Sequence, residues 1–235
     1  MTTEQFKAIA ERCKGDDVTR PAMSSVFRCG GHAFATDRRI AIMYDSNDAA
    51  IPAAEGTQSH LGEQIKDLFP SDIPKDYCEY TLDAAKLTLA AQAAIADLDR
   101  EMEQLRTRGC DPDDPDDPGP DSVSEVQRRL SKVLMPDEQR SVIAGYFAAI
   151  VADAVREHGP VHAFASYKSP NMVMYFMGPD WRIAVMPIRT RHSDGAWAWD
   201  NDSSIADAAT GELVRRFGET RPTIQELTDK RKDEK

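Results

Sequence analysis

Residues 110–122 read CDPDDPDDPGPDS, a run of carboxylates that could in principle hold a cation. An EF-hand calcium loop alternates oxygen ligands, turns on a glycine and closes with a glutamate at its twelfth position. Here the prolines fall at the wrong places and no such glutamate follows, and repeated proline blocks regular structure. A flexible acidic loop is the expectation. The four cysteines, Cys13, Cys29, Cys78 and Cys110, form no CxxC pair. They read as reduced thiols rather than zinc ligands, and no metal or cofactor is expected. The histidines His32, His60, His158, His162 and His192 are dispersed, and the chain contains no HExxH, GxSxG or glycine-rich phosphate loop. His162 falls on a predicted strand and reads as a structural histidine. Asp37 and Asp45 flank another strand and read as turn carboxylates. No enzyme site assembles, so a non-enzymatic protein is expected.

Composition sets wider limits. The chain has 235 residues, 41% of them hydrophobic and 29% charged, with a net charge of −11. That charge argues against a protein whose whole surface coats nucleic acid, but leaves room for a local basic patch. No apolar run reaches the roughly 18 residues of a membrane span. The opening MTTEQFKAIAER lacks the basic-then-apolar profile of a signal peptide. An intracellular, cytoplasmic protein without membrane contact is the expectation.

The elements that would position any site show a recurrence. Arg39-Ile40-Ala41-Ile42-Met43 returns as Arg182-Ile183-Ala184-Val185-Met186. Phe-x-Ala-Ile occurs at Phe6–Ile9, 33 positions before Arg39, and at Phe147–Ile150, 35 positions before Arg182. Two words repeated at matched spacing point to a duplicated unit. Each unit reads as a helix followed by three strands. Phe6, Ile9, Ala10 and Cys13 keep helical spacing, and Gly15 stops that helix. The predicted strands are Ala22–Cys29, His32–Thr36 and Arg39–Asp45, with Gly30-Gly31 as a hairpin turn. In the second unit a helix over Tyr146–His158 precedes strands at 161–166, 172–177 and 182–188. Alternation places Ile40 with Ile42, and Ile183 with Val185, on strand faces that pack against the helices.

Thr19-Arg20-Pro21, then Ala35-Thr36-Asp37 followed by Arg-Arg-Ile-Ala, resembles the N-terminal unit of bacterial DNA polymerase sliding clamps. Arg182–Arg189, RIAVMPIR, is similar to the Met-Pro-x-Arg strand that closes a clamp subunit. The segments DLFPSDIP and EYTLDAAKL are similar to clamp connections between units. The chain differs in carrying Arg38 where clamps commonly have glycine, and in continuing for 46 residues after Arg189. The resemblance implies an α+β, DNA-clamp-like fold with two repeated helix-plus-antiparallel-sheet units. It implies a processivity or docking factor of DNA replication or repair. In a clamp the helices line a hole around duplex DNA, so Lys7, Arg12, Lys14 and Arg20 become candidate DNA-binding residues, for weak and non-specific contact. Arg156 on the second helix reads as an ordinary solvated cation. Met186, Pro187 and Ile188 become candidate contacts for a replication or repair protein. A single such domain would have to form a homo-oligomer to close a ring. The alternative is a protein-interaction module on the same fold that does not bind DNA.

The expected organisation is a first unit with its connector over 1–80, an insertion over 81–138, a second unit over 139–190 and a C-terminal extension over 191–235. The insertion reads as a helical hairpin. Its first arm is Leu82–Arg108, with Leu87, Ala91, Ala94, Leu98 and Leu105 as an apolar stripe. Its second arm is Ser122–Leu134, with a Ser122–Glu125 capping box. Beyond it, Trp197 and Trp199 share a strand face, residues 203–218 read as partly helical, and the charged end is expected to fray.

Overall fold

The computed structural model describes residues 1–15, 20–71, 73–80, 82, 84–107, 132–135, 142–158, 162–169, 171–187, 206–207 and 213–216. The chain is mixed α+β. Helix α1 spans Thr3–Cys13. It starts with a capping box in which Thr2 Oγ1 accepts from the Gln5 amide at 3.2 Å and Gln5 Oε1 accepts from the Thr2 amide at 2.9 Å. Strands β1 (Phe27–Cys29), β2 (His32–Thr36) and β3 (Ile40–Asp45) follow as a meander. Gly30 and Gly31, with φ of 56° and 83°, make the β1–β2 turn. Positive φ at both central residues gives a turn whose twist matches the strands.

Helix α2 covers Thr57–Leu68 and β4 covers Tyr77–Tyr80. Helix α3 covers Ala84–Thr107, β5 Lys132–Leu134 and β6 Val142–Ala144. Helix α4 (Gly145–His158) then leads into a second meander of β7 (His162–Ser166), β8 (Met174–Met177) and β9 (Trp181–Val185). The short strands β10 (Ala206–Asp207) and β11 (Leu213–Arg216) come last. Eight strands form one sheet in the order β1-β2-β3-β9-β8-β7-β4-β11, and β10-β5-β6 form a small second sheet. Every pairing in the large sheet is antiparallel.

The two meanders join at β3 and β9, which pair Ile40 with Val185, Ala41 with Ala184 and Ile42 with Ile183. Both recurring Arg-Ile-Ala words therefore lie side by side in the sheet. Alternation sends Ile40, Ile42, Ile183 and Val185 to the face covered by α1, α3 and α4, where they pack with Phe6, Ile9 and Ile150. Burying each large aliphatic contributes roughly 1.5–3 kcal/mol. Ala41, Met43 and Ala184 face the other way, into a second core with Ile65 and Phe69. Gly62 lets α2 sit close on that face: a Cβ there would meet Cys29 Cβ at 3.2 Å and the Phe27 ring at 3.3 Å.

Three local expectations are corrected. The predicted first strand is confined to Phe27–Cys29, because Pro21–Met23 forms a 3-10 turn closed by the Met23 amide on the Arg20 carbonyl at 2.9 Å. Proline's fixed φ suits a first helical position. Lys132–Leu134, expected at the end of a helix, is strand β5, held between β6 and β10. Here pairing overrides local propensity. The same holds for 206–207 and 213–216, expected to be partly helical, which pair with β5 and β4. Helix α3 packs at home over its first half: Leu87, Ala90, Ala91 and Ala94 are buried in the main core against α4. The acidic loop, residues 122–131 of the second predicted arm, and Trp197 and Trp199 lie outside the described residues. Among the described residues no helix is long and apolar enough to cross a membrane, and no group of His, Cys, Asp and Glu could hold a metal ion.

Candidate functional site

Helix α1 runs out at Cys13 with Arg12 in its last turn. Its C-terminal carbonyls carry partial negative charge and favour cations there. Gly15 then donates its amide to the Met23 carbonyl at 2.9 Å, tying the helix end to the 3-10 turn that follows Arg20. The β2–β3 turn comes up alongside. The result is an open cavity of about 430 Å³ lined by Arg12, Lys14, Arg20, Arg38, Arg39 and Tyr146, with Asp37 as its carboxylate. Sequence reasoning brought Arg12, Lys14 and Arg20 forward, and the structure gathers all three. Lys7, the fourth predicted cation, does not line the cavity and instead pairs with Glu4 at 3.2 Å.

Not all of this charge faces outward. Arg12 forms an ion pair with Asp153 of α4, which also accepts from Arg156 at 2.7 Å. Lys14 pairs with Glu11 at 2.5 Å. Tyr146 donates its hydroxyl to the Arg12 carbonyl at 2.7 Å and lies under the Arg12 guanidinium, 5.8 Å from the ring centre. Burial holds the Tyr146 hydroxyl above the ordinary tyrosine range, so it stays a neutral donor. Arg12 is thus a clasp between α1 and α4 as well as a wall of the cavity. Arg156, read as an ordinary cation, is the outer partner of the same clasp.

Arg38 and Arg39 are different. Both are exposed, and neither forms an ion pair among the described residues. They sit on a tightly bonded turn. Asp37 Oδ1 accepts from the amides of Arg39 at 2.8 Å and Ile40 at 2.9 Å, which makes Asp37 the turn carboxylate its position suggested. Thr36 Oγ1 accepts from the Arg38 amide at 2.9 Å and donates to the Ile40 carbonyl at 2.8 Å. Arg38 takes φ of 81°, the only non-glycine among the described residues with positive φ. Sequence reasoning noticed Arg38 as a departure from glycine but passed over it as a site residue. An arginine where the backbone favours glycine was the available signal.

A second, apolar groove adjoins the turn. It is about 190 Å³, lies between α2 and β3–β9, and is lined by Leu61, Ile65, Leu68, Val173, Ala184 and Met186. Leu68 and Met186 are 37% and 43% exposed, unlike the core around them. The Met186 amide donates to the Arg39 carbonyl at 2.7 Å, which locks the end of β9 to the arginine turn. Of the predicted partner contacts, Met186 lines the groove, Pro187 is buried beside it in sequence, and Ile188 lies outside the described residues.

Among the described residues the histidine–carboxylate pairs are His32 Nδ1 with Asp45 at 2.8 Å, the exposed His60 Nδ1 with Glu63 at 4.0 Å, and the buried His162 with Glu79, joined across β7 and β4. None of these imidazoles hydrogen-bonds a hydroxyl or thiol among the described residues. What the arrangement can do is bind: cations for an anionic group, and an apolar slot beside them. A scan against protein-family models finds no match to this chain, and neither do searches of curated proteins and of solved structures.

Proposed function

We propose that this chain is a non-enzymatic, sliding-clamp-like docking factor of DNA replication or repair. The observation that carries the reading is the apolar groove that contains Met186, set between α2 and the paired β3 and β9. Its two exposed apolar side chains, Leu68 and Met186, give a protein partner a concave place to anchor. The arrangement around it supports a duplicated unit: a helix and three-stranded meander occur twice, and the recurring words pair in register at Ala41 and Ala184. The gathering of Arg12, Lys14 and Arg20 at one cavity supports contact with DNA phosphates.

Such contact would be weak, with Kd on the order of 10⁻⁴ M or weaker for a short linear duplex, and indifferent to base sequence. Encircling DNA would also require a closed homo-oligomer. Fluorescence anisotropy on labelled duplex at two salt concentrations, with sedimentation of the free protein, tests both parts. Binding with a shallow salt slope together with a closed oligomer fits the proposal. A strict monomer removes the encircling model.

One observation favours a second reading, an interaction module that does not bind DNA. Lys7, Arg12 and Lys14 are each paired with a carboxylate of this chain, Glu4, Asp153 and Glu11. No detectable duplex binding at low salt selects that reading. Docking of a protein partner is common to both.

A further inference from the structure

We infer that the cationic cavity is a binding site for a small molecule with linked phosphates, the chemistry shared by nucleoside di- and triphosphates and inorganic pyrophosphate. Arg38 and Arg39 are the residues that grip it. The inference goes beyond the docking reading above and does not depend on it.

Three observations carry it. First, positive charge converges on one hollow from three places: Arg12 and Lys14 at the end of α1, Arg20 before the 3-10 turn, and Arg38 and Arg39 on the β2–β3 turn. Asp37 is the carboxylate that lines it, and its Oδ1 already accepts from the amides of Arg39 and Ile40. The chain as a whole carries a net charge of −11, so this gathering runs against its composition. Second, the uncompensated charge is concentrated. Asp153 and Glu11 offset Arg12 and Lys14, whereas Arg38 and Arg39 are exposed and make no ion pair among the described residues. Two adjacent guanidinium groups match two linked phosphates, because each planar fork donates parallel N–H bonds to one of them. Third, the backbone at Arg38 lies at φ of 81°. Glycine adopts that conformation without the steric cost a Cβ brings, so the arginine is there against local preference. Its turn is held by the hydrogen bonds of Thr36 and Asp37, which fixes the stem from which the guanidinium projects. A strained residue kept in place by its surroundings points to a role for its side chain.

Size and shape choose the ligand. The cavity is about 430 Å³, within the roughly 300–1,000 Å³ of small-molecule sites. A nucleotide carries its charge on a few neighbouring groups and can enter a hollow. Duplex DNA spreads its phosphates along the outside of a rod and is met by a basic stripe. Lys7, the next cation along α1, does not line the cavity and pairs with Glu4, so the charge does not continue along the helix. A lone phosphate would engage one guanidinium and leave its neighbour unmet. Tyr146 adds a ring, 44% exposed, to the cavity wall, where a base can stack.

Isothermal titration calorimetry of the full chain, in magnesium-free buffer at constant ionic strength, compares AMP, ADP, inorganic pyrophosphate and sulfate. ADP should bind roughly 10-fold or more tightly than AMP, as expected for one further charge-assisted contact, and sulfate most weakly. ADP binding more tightly than pyrophosphate identifies a nucleotide as the ligand; equal affinity identifies the phosphate chain alone. Arg38→Gly combined with Arg39→Ala should weaken ADP by roughly 10-fold or more while the thermal transition is kept. Arg39→Lys keeps the charge and removes the fork, so it should narrow the difference between ADP and AMP without touching the strained position. Lys168→Ala removes a cation that pairs with Asp76 outside the cavity, and should leave ADP binding unchanged. Equal binding of ADP and AMP, or of pyrophosphate and sulfate, overturns the inference and leaves an adventitious ion only. Full ADP affinity in the folded double variant places the ligand elsewhere and rejects the site. Displacement of ADP by short duplex DNA at equal phosphate concentration assigns the arginines to the DNA backbone and rejects a small ligand. No detectable binding of ADP or pyrophosphate also overturns the inference, while docking at the apolar groove stands.

Discussion

Ala41 of β3 faces Ala184 of β9 across the sheet, and each is the third residue of an Arg-Ile-Ala word. Corresponding residues thus pair with one another at this point. Stepping one residue outward pairs Ile40 with Val185 and Ile42 with Ile183, so the second position of one copy meets the fourth position of the other. An antiparallel pair is related by a local two-fold axis, so the apolar residues of the two strands point to the same side of the sheet. That is why β3 and β9 supply the centre of both cores, aliphatics to the helix side and small residues with Met43 to the side of α2.

The first prediction follows from that burial. Ile40 and Ile183 are 1% and 0% exposed. Ile40→Asp or Ile183→Asp would place an uncompensated carboxylate in the core, at a cost of several kcal/mol. That is comparable with a whole stability of about 5–15 kcal/mol. Each variant should lose its cooperative thermal transition. Retention of the wild-type melting temperature in both would show that these side chains face water.

Arg38→Gly should do the opposite. Removing the Cβ from a residue at φ of 81° relieves a steric cost of about 1 kcal/mol. For a chain of this size that raises the melting temperature by about 2–4 °C. The hydrogen bonds that hold the turn come from Thr36 and Asp37 and survive the change. A melting temperature that falls would mean that the guanidinium stabilises the fold rather than serving a partner.

These two residue sets also mark what could be read from the chain. Ile40, Ile42, Ile183 and Val185 were legible because strand alternation is local, and so were α1, α3 and α4 because their apolar spacing is local too. Helix α2 was missed although Leu61, Ile65 and Phe69 recur at helical spacing, since the clamp resemblance cast the stretch that follows as a connector. Strands β5 and β11 were missed for a different reason. Lys132–Leu134 and Leu213–Arg216 are too short to show periodicity, and their pairing partners Val142–Ala144 and Tyr77–Tyr80 come from elsewhere in the chain. For the site, charge on α1 was visible, but its neutralisation by Asp153 depends on how α1 and α4 pack. Arg38 and Arg39 lie on a turn, where no periodicity singles them out; the sequence marks Arg38 only as a departure from glycine, and the backbone angle of 81° shows the cost of that departure.

Stability should decline in alkali through Cys13. Burial, reinforced by the nearby Asp37 carboxylate, holds its thiol well above the ordinary range, against a smaller opposing pull from Arg12. In the unfolded chain the thiol ionises near pH ~8.5. Between that pH and the raised folded value the native state binds more protons than the unfolded state. Stability is therefore fully present below about pH 8.5 and falls as pH rises, by about 1.4 kcal/mol per pH unit for this one group. Urea unfolding at pH 8, 9 and 10 measures the slope, and Cys13→Ala should reduce it by that amount. The same slope in both proteins would mean that Cys13 is not the group responsible.

The last prediction concerns the buried pair His162 and Glu79. They are 7% and 4% exposed, lie on adjacent strands, and hydrogen-bond through His162 Nδ1. The imidazole stacks on Phe164, with ring centres 5.9 Å apart, and its Nε2 is buried without a hydrogen-bond partner among the described residues. A pair in this setting is weak as a source of stability but costly to break. Desolvation offsets most of the attraction while both partners are present, whereas removing Glu79 leaves the imidazole buried and unsatisfied and removing His162 breaks a buried charge-assisted contact. Glu79→Leu alone and His162→Phe alone should therefore each destabilise by about 3–5 kcal/mol. The double variant replaces both polar groups with apolar ones beside Phe164 and should recover most of that loss, so the two effects are strongly non-additive. Denaturant unfolding of the four proteins gives the coupling directly. Additive losses, with the double variant as unstable as the sum of the singles, would show that each residue is held by other partners and that the contact between them contributes little.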